Sequence, residues 1–242
     1  MELNMKRQAG FTLVEIAIVL VIIGLLLGGI LKGQELINSA RVRNLADTAT
    51  GIQAAYYGFV DRYRRVPGDW NAASATLAIG QSVTAGGNDN GRIDHTTGTE
   101  WAEVNALWQQ LALAGFIQGS YQGGTALPNN TSSTAPLNAY NNVMAVARSN
   151  EYMAAPGMRL YLIFGRGVPA TVMRELDLKL DDGVPNRGDM RASQDDGTPS
   201  VALPGVNGTI SPVLMEPSCV DTTNNIWDII SDSQDCNAVY VF

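Results

Sequence analysis

The chain is short of charge, of cysteine and above all of histidine. Only 16% of its 242 residues are Asp, Glu, Lys or Arg, against roughly 25% in an ordinary soluble domain. Its one histidine, His95, would have to serve any Ser-His-Asp or Cys-His mechanism. With only two cysteines beside it, little is left for a zinc centre of His and Cys ligands. Those cysteines, Cys219 and Cys236, lack the Cys-x-x-Cys spacing of a redox dithiol. Basic residues are scarcer than acids, 16 against 23, for a net charge of -7. That argues against generic nucleic-acid binding, which needs a basic footprint to displace counterions.

The shortage is also local. No charged side chain lies between Glu103 and Arg148, and no Lys or Arg follows Arg191, although seven acids do. Six basic residues, Lys32, Arg41, Arg43, Arg62, Arg64 and Arg65, gather in one stretch with only Glu35, Asp47 and Asp61 among them. The order is a basic neck, a neutral middle and an acidic tail. An uncharged stretch that long must put its surface into a core, a polar loop or a subunit contact. What is plentiful is apolar: 45% of the chain, enough for a packed core and too much for wholesale disorder. The length allows one ordinary domain, or one with an appendage.

The appendage is at the N-terminus. Phe11 to Leu31 is apolar except for Thr12 and Glu15, and as a helix it would span about 30 Å, the thickness of a hydrocarbon core. A secretory signal has a shorter apolar core and a small-x-small cleavage site. Here Lys32-Gly33-Gln34-Glu35 follows, and the helical pattern continues. A plain membrane anchor leaves Glu15 unexplained, because a carboxylate at membrane depth costs roughly 2.5–3.5 kcal/mol and is usually functional.

Lys6-Arg7-Gln8-Ala9-Gly10-Phe11-Thr12-Leu13-Val14-Glu15 resembles the type IV prepilin signature, shared by type IV pilins and the pseudopilins of type II secretion systems. The resemblance covers Met5 to Leu31. It implies that a prepilin peptidase cuts between Gly10 and Phe11 and N-methylates the new Phe11 amine. Without Glu2, Lys6 and Arg7, 14 basic and 22 acidic residues remain, for a net of -8. A subunit waiting in the bilayer would hold Glu15 without a sure partner. In a bundle of such helices Glu15 can meet the Phe11 amine of a neighbour, and a paired buried charge is tolerated where a lone one is not. The pair selects one axial register. Gly24, Gly28 and Gly29 are spaced for close helix approach, or are ordinary membrane-helix content. Long domains cross membranes regardless of loop charge, and two cysteines suit an oxidising side, so the C-terminal domain is placed outside the cytoplasm.

Beyond Lys32, the residues Leu45, Ala49, Ile52, Tyr56, Phe59 and Tyr63 fall at spacings of four and three and continue the helix amphipathically. Arg62, Arg64 and Arg65 suit its C-terminal dipole, and Pro67-Gly68 ends it. Residues 69–99 read as irregular. Within them Asn88, Asn90 and Asp94 half-fit a calcium loop, but Gly86 and Thr97 stand where its anchoring ligands belong, and an Asn-Gly turn is the simpler reading. Glu100 to Ile117 reads as a second helix with Trp101 and Trp108 in the core. Its Glu100 and Glu103 share a face but no indicated cleft. Gly119 to Asn142 reads as loop, Arg159 to Gly165 as the best strand, Pro169 to Leu180 as a short helix, and Asn237 to Phe242 as a last strand.

The Asp-Asp-Gly-x-Pro segment after Lys179 is similar to one in larger prepilin-type proteins. Asp181, Asp182 and Asp189 there are either calcium ligands, since some pseudopilins use calcium to order a loop, or a solvated acidic turn. In an exported domain Cys219 and Cys236 should form a disulfide, closing a loop that carries Trp227 and adding about 3 kcal/mol. A bridge near the C-terminus agrees with the resemblance.

The expected fold is α+β and pilin-like, with a long N-terminal helix packed on a small antiparallel sheet and extended loops. The expected organisation is a leader (1–10), a transmembrane and filament-core helix (11–31), its amphipathic continuation (32–66) and a periplasmic or extracellular head (67–242). The function expected is that of a structural subunit, a minor pilin of a type IV pilus-like filament, with no catalytic residues and no required cofactor. A type II secretion pseudopilin and a pilus-tip adhesin or DNA-binding pilin are the alternatives. The partners implied are other pilin subunits, prepilin peptidase, an inner-membrane assembly platform and, before assembly, membrane lipid.

Overall fold

The computed structural model describes residues 12–93, 101–131, 133–149, 152–154, 157, 159–193, 217–231 and 233–241. The chain divides into two compact units, Met1–Ala40 and Arg41–Phe242. No described residue of the first unit is buried.

Helix α1 (Leu13–Tyr63) has Glu15 in its first turn and Arg62 in its last, each at the dipole end that favours its charge. Within the second unit it buries Val42, Leu45, Ala46, Ala49, Ile52, Ala55 and Phe59, the stripe that the spacing of four and three predicts. Tyr56 and Tyr63 pack against that core while partly exposed. Arg64, in the left-handed region at φ 54°, ends the helix, and the chain turns through Pro67 and Gly68 (φ 90°).

Residues 69–99 are not wholly irregular: Ala72–Ile79 forms α2. The side chain of Asn71 caps it by accepting the Ser74 N–H at 2.9 Å, and Gly80 closes it in the left-handed region. Two turns with one buried side chain, Ala75, give too short a period to stand out in the sequence. Helix α3 (Ala102–Leu113) is shorter at both ends than the 100–117 expected. Gly115 (φ 81°) follows it, and Phe116 N–H bonds back to Leu111 O.

The sheet is built from β1 (Ala145–Ser149), β2 (Arg159–Ile163), β3 (Met190–Ala192) and β6 (Ala238–Val241) in the order β1-β2-β6-β3, each pair antiparallel. Helix α4 (Ala170–Leu180) follows β2. The strands β4 (Val220–Asp221) and β5 (Ile226–Trp227) form a separate small ribbon. The long N-terminal helix and small antiparallel sheet make the fold α+β with a pilin-like layout. On α1, Gln53 reaches the sheet by donating to Val241 O at 3.4 Å.

The neutral middle of the sequence goes into the core and its loops. Helix α3 buries Val104, Leu107, Trp108 and Leu111, and also Asn105, Gln109 and Gln110. These amides fasten the loops. Asn105 donates to Gly124 O and Ala126 O, Gln109 exchanges bonds with Thr84, and Asn138 bridges Phe164 O, Arg166 O and the N–H groups of Tyr140 and Asn142. Buried polar groups are tolerable when bonded in this way.

Candidate functional site

Gly10 and Phe11 lie outside the described residues, as do His95, Asp94 and Glu100. Glu15 is described, and it is not without a partner. Its Oε2 accepts the Thr12 N–H and the Thr12 hydroxyl, both at 2.8 Å, while the Thr12 hydroxyl oxygen accepts the Glu15 N–H at 3.3 Å. This is a reciprocal capping box, Thr-x-x-Glu, which satisfies orphan donors of the first helical turn. The cap supplies Glu15 with neutral donors from its own helix and no countercharge. Behind it, residues 16–31 of α1 expose a continuous run of aliphatic side chains. Among the described residues this helix alone is long and apolar enough to cross a membrane.

At the other end of α1 the Pro-Gly-Asp turn is clamped by α3. Gln110 accepts the Gly68 N–H and donates to Trp70 O, both at 2.8 Å. A Cβ on Gly68 would collide with the carbonyl of Glu103. Buried Asp69 accepts the N–H groups of Asn90 (3.1 Å) and Gly91 (2.7 Å). Asn88 and Asn90 use their side-chain oxygens on the N–H groups two residues on. The described part of this segment is an Asx-turn loop held by Asp69, and Asp94 and Thr97 of the calcium-loop reading lie outside the described residues.

The acidic segment after α4 brings together Asp177, Asp181 and Asp182, whose nearest carboxylate oxygens all lie within 4.8 Å of one another. Asp189 joins them only through its backbone. Asp181 Oδ2 accepts the N–H groups of Asp189 and Met190, Asp182 Oδ1 accepts the Val184 N–H at 2.8 Å, and Asp182 Oδ2 pairs with Arg187 Nε at 2.6 Å. Asp177 is buried, and its Oδ2 accepts the indole N–H of Trp227 at 2.8 Å. Burial pushes this carboxyl up to about 6, with the charges of Asp181 and Asp182 adding and the Trp227 bond opposing. Four of the six carboxylate oxygens accept protein donors, while Asp177 Oδ1 is buried without a hydrogen-bond partner.

Sequence reasoning missed Asp177, Asp69 and Gln110. Asp177 and Asp181 sit four apart, a spacing that puts both on one helix face, and that signal was available.

Cys219 and Cys236 are joined, with Cα atoms 5.6 Å apart and both side chains buried. The loop they close is held further by Trp227 on Asp177, by Asp228 N–H on Cys219 O (2.9 Å) and by Ser231 Oγ on Ser218 O (2.7 Å). Within the same loop Asp235 pairs with Arg166 through both oxygens and accepts the Gly167 N–H.

A family model described as the prokaryotic N-terminal methylation motif matches residues 5–31. Comparison with curated proteins and with solved structures finds no match. The motif is the type IV pilin and pseudopilin signature, and it points to a pilin-like structural subunit and not to an enzyme. It implies processing by prepilin peptidase and assembly with other pilins. The apolar start of α1 fits membrane anchoring before assembly.

Proposed function

We propose that the chain is a specialised, minor subunit of a type IV pilus-like filament. Prepilin peptidase cuts it between Gly10 and Phe11 and methylates Phe11. It waits in the inner membrane with its second unit outside the cytoplasm, is extracted by an assembly platform, and polymerises through residues 11–31 of α1. The observation that carries this reading is the place of Glu15. It sits five residues into the processed chain, at the head of an exposed aliphatic helix. Both Thr12 donors go to Oε2, which leaves Oε1 for the Phe11 amine of a neighbour. The capping box lowers the cost of waiting in lipid, and the second bond rewards one register of assembly. The neutral, loop-rich middle of the second unit favours a specialised subunit over a bulk one.

The same motif serves pseudopilins of type II secretion, the second reading. N-terminal sequencing of protein from sheared filaments tests the first. It should begin at N-methylated Phe11. Protein that keeps its first ten residues, or starts beyond Leu31, overturns both readings. Glu15→Ala should be processed and inserted yet fail to enter filaments, and normal incorporation would overturn the pairing.

A further inference from the structure

Trp108 and Trp227 are the largest of the fully buried side chains, and they treat their indole N–H groups differently. Trp227 donates to Asp177. Trp108, on α3, is 0% exposed and its Nε1 has no hydrogen-bond partner. A buried tryptophan normally finds an acceptor, because an unmade donor at depth forfeits its hydration and gains nothing for it.

Trp108 also lines a hollow of about 270 Å³, together with Ile52 of α1, Phe116 and Tyr121. The hollow lies wholly within the second unit. The Trp108 and Tyr121 rings are 6.3 Å apart and inclined at 50°. None of the described residues lining the hollow is charged. Its polar side chains are those of Thr48, Gln118 and Tyr121. The Tyr121 hydroxyl is directed to Gln118 O at 3.5 Å, and Gln118 is exposed. Gly51 lies on the α1 side of the same hollow. Glycine weakens a helix interior relative to alanine, and a Cβ on Gly51 would meet nothing within 4 Å. No neighbour in the described chain requires it to be bare. What its bareness does is keep the hollow open, since a longer side chain there would project into it.

We propose that this hollow binds a small neutral molecule with an apolar, ring-sized body and one acceptor oxygen, which takes the Trp108 N–H. This goes beyond the filament reading and does not depend on it. An ion would find no countercharge among the lining residues. A lone water would face mostly apolar walls, short of the about two to four polar partners that hold a buried water. A peptide strand would have to bring a mid-chain carbonyl to a donor with no exposed surface, whereas a terminal oxygen on a narrow body can enter. The volume exceeds the roughly 150 Å³ that accommodates benzene in an apolar cavity, which leaves room for a ring with a short oxygen-bearing substituent.

The test uses the full-length chain in lipid nanodiscs with its tryptophan indoles labelled with nitrogen-15, and acetophenone as the probe. Trp108→Phe, which removes the donor, identifies the Trp108 signal in the nuclear magnetic resonance spectrum. Should that variant not fold, Trp70→Phe, Trp101→Phe and Trp227→Phe identify it by elimination. Acetophenone should move the Trp108 indole proton downfield, saturably and in the millimolar range expected of so small a ligand. Ethylbenzene, which has a similar body and no acceptor, should not move it downfield. Gly51→Leu fills the hollow from an exposed helical position and should weaken the acetophenone response at least about tenfold. A signal that stays in place up to the solubility limit of acetophenone, that moves alike with both compounds, or that responds undiminished in Gly51→Leu overturns the site. Each of these results leaves the filament reading intact.

Discussion

The hydroxyl of Thr12 and the carboxylate of Glu15 cap each other at the start of α1, and the carboxylate also takes the Thr12 N–H. The acidic residue of the N-terminal motif is thus held by its own helix before any neighbour arrives. Thr12→Val should cost the first turn about 1 kcal/mol and leave Glu15 poorly satisfied in lipid. The amount of chain in sheared filaments should fall, while Thr12→Ser should match the wild type. Equal incorporation of all three would remove the cap from the account.

Asp177 sets a pH dependence. Its carboxyl is raised in the folded state to about 6, from an ordinary 3.8, so between about pH 4 and 6 the folded chain binds more protons than the unfolded one. Its stability contribution therefore improves as pH falls through that window and is worst above it. Asp177→Asn keeps an acceptor for Trp227 and removes the titration. Thermal unfolding in chelator should show a flatter pH 4–6 slope for the variant, and at pH 7 a midpoint no lower than wild type.

Calcium should do nothing to that midpoint. Asp181 Oδ2 and both oxygens of Asp182 already accept backbone N–H groups and Arg187. A rise of several degrees on adding millimolar calcium would show that those bonds yield to a cation.

The clamp on the turn after α1 is open to substitution at Gln110. Gln110→Leu keeps most of the volume but strands the Gly68 N–H and the Trp70 carbonyl, which should cost about 2–3 kcal/mol at least. Denaturant unfolding followed by tryptophan fluorescence would measure it, and a loss under about 1 kcal/mol would mean that water replaces the amide.

Replacing both Cys219 and Cys236 with serine should cost about 3 kcal/mol and loosen the mount of Trp227. Near-ultraviolet circular dichroism should lose tryptophan signal at temperatures where the bridged chain keeps it.

The long elements were legible in the sequence because their periodicity repeats many times. The stripe from Leu45 to Phe59, the strand beginning at Arg159, the helix ending at Leu180 and the last strand before Phe242 all carry their own pattern. Strands β3, β4 and β5 have two or three residues each, fewer than one alternation can announce, and they are strands only because a partner is beside them. The site divides in the same way. Glu15 was legible because a charge in an oily run stands out, but its bond to Thr12 was overlooked although the Thr-x-x-Glu spacing was on view. Gln110 was invisible, because its role depends on Gly68, 42 residues earlier. The grouping of Asp177 with Asp181 was available in their spacing of four, but that Asp182 joins them and Asp189 joins only through its backbone depends on the turn after α4.

The bonds that secure α3 and its surrounding loops come mostly from asparagine and glutamine side chains. Carboxamides neither ionise nor gather counterions. That region should keep its shape in brine, in fresh water and in mild acid alike, whereas the carboxylate-bearing end around Trp227 will register each change.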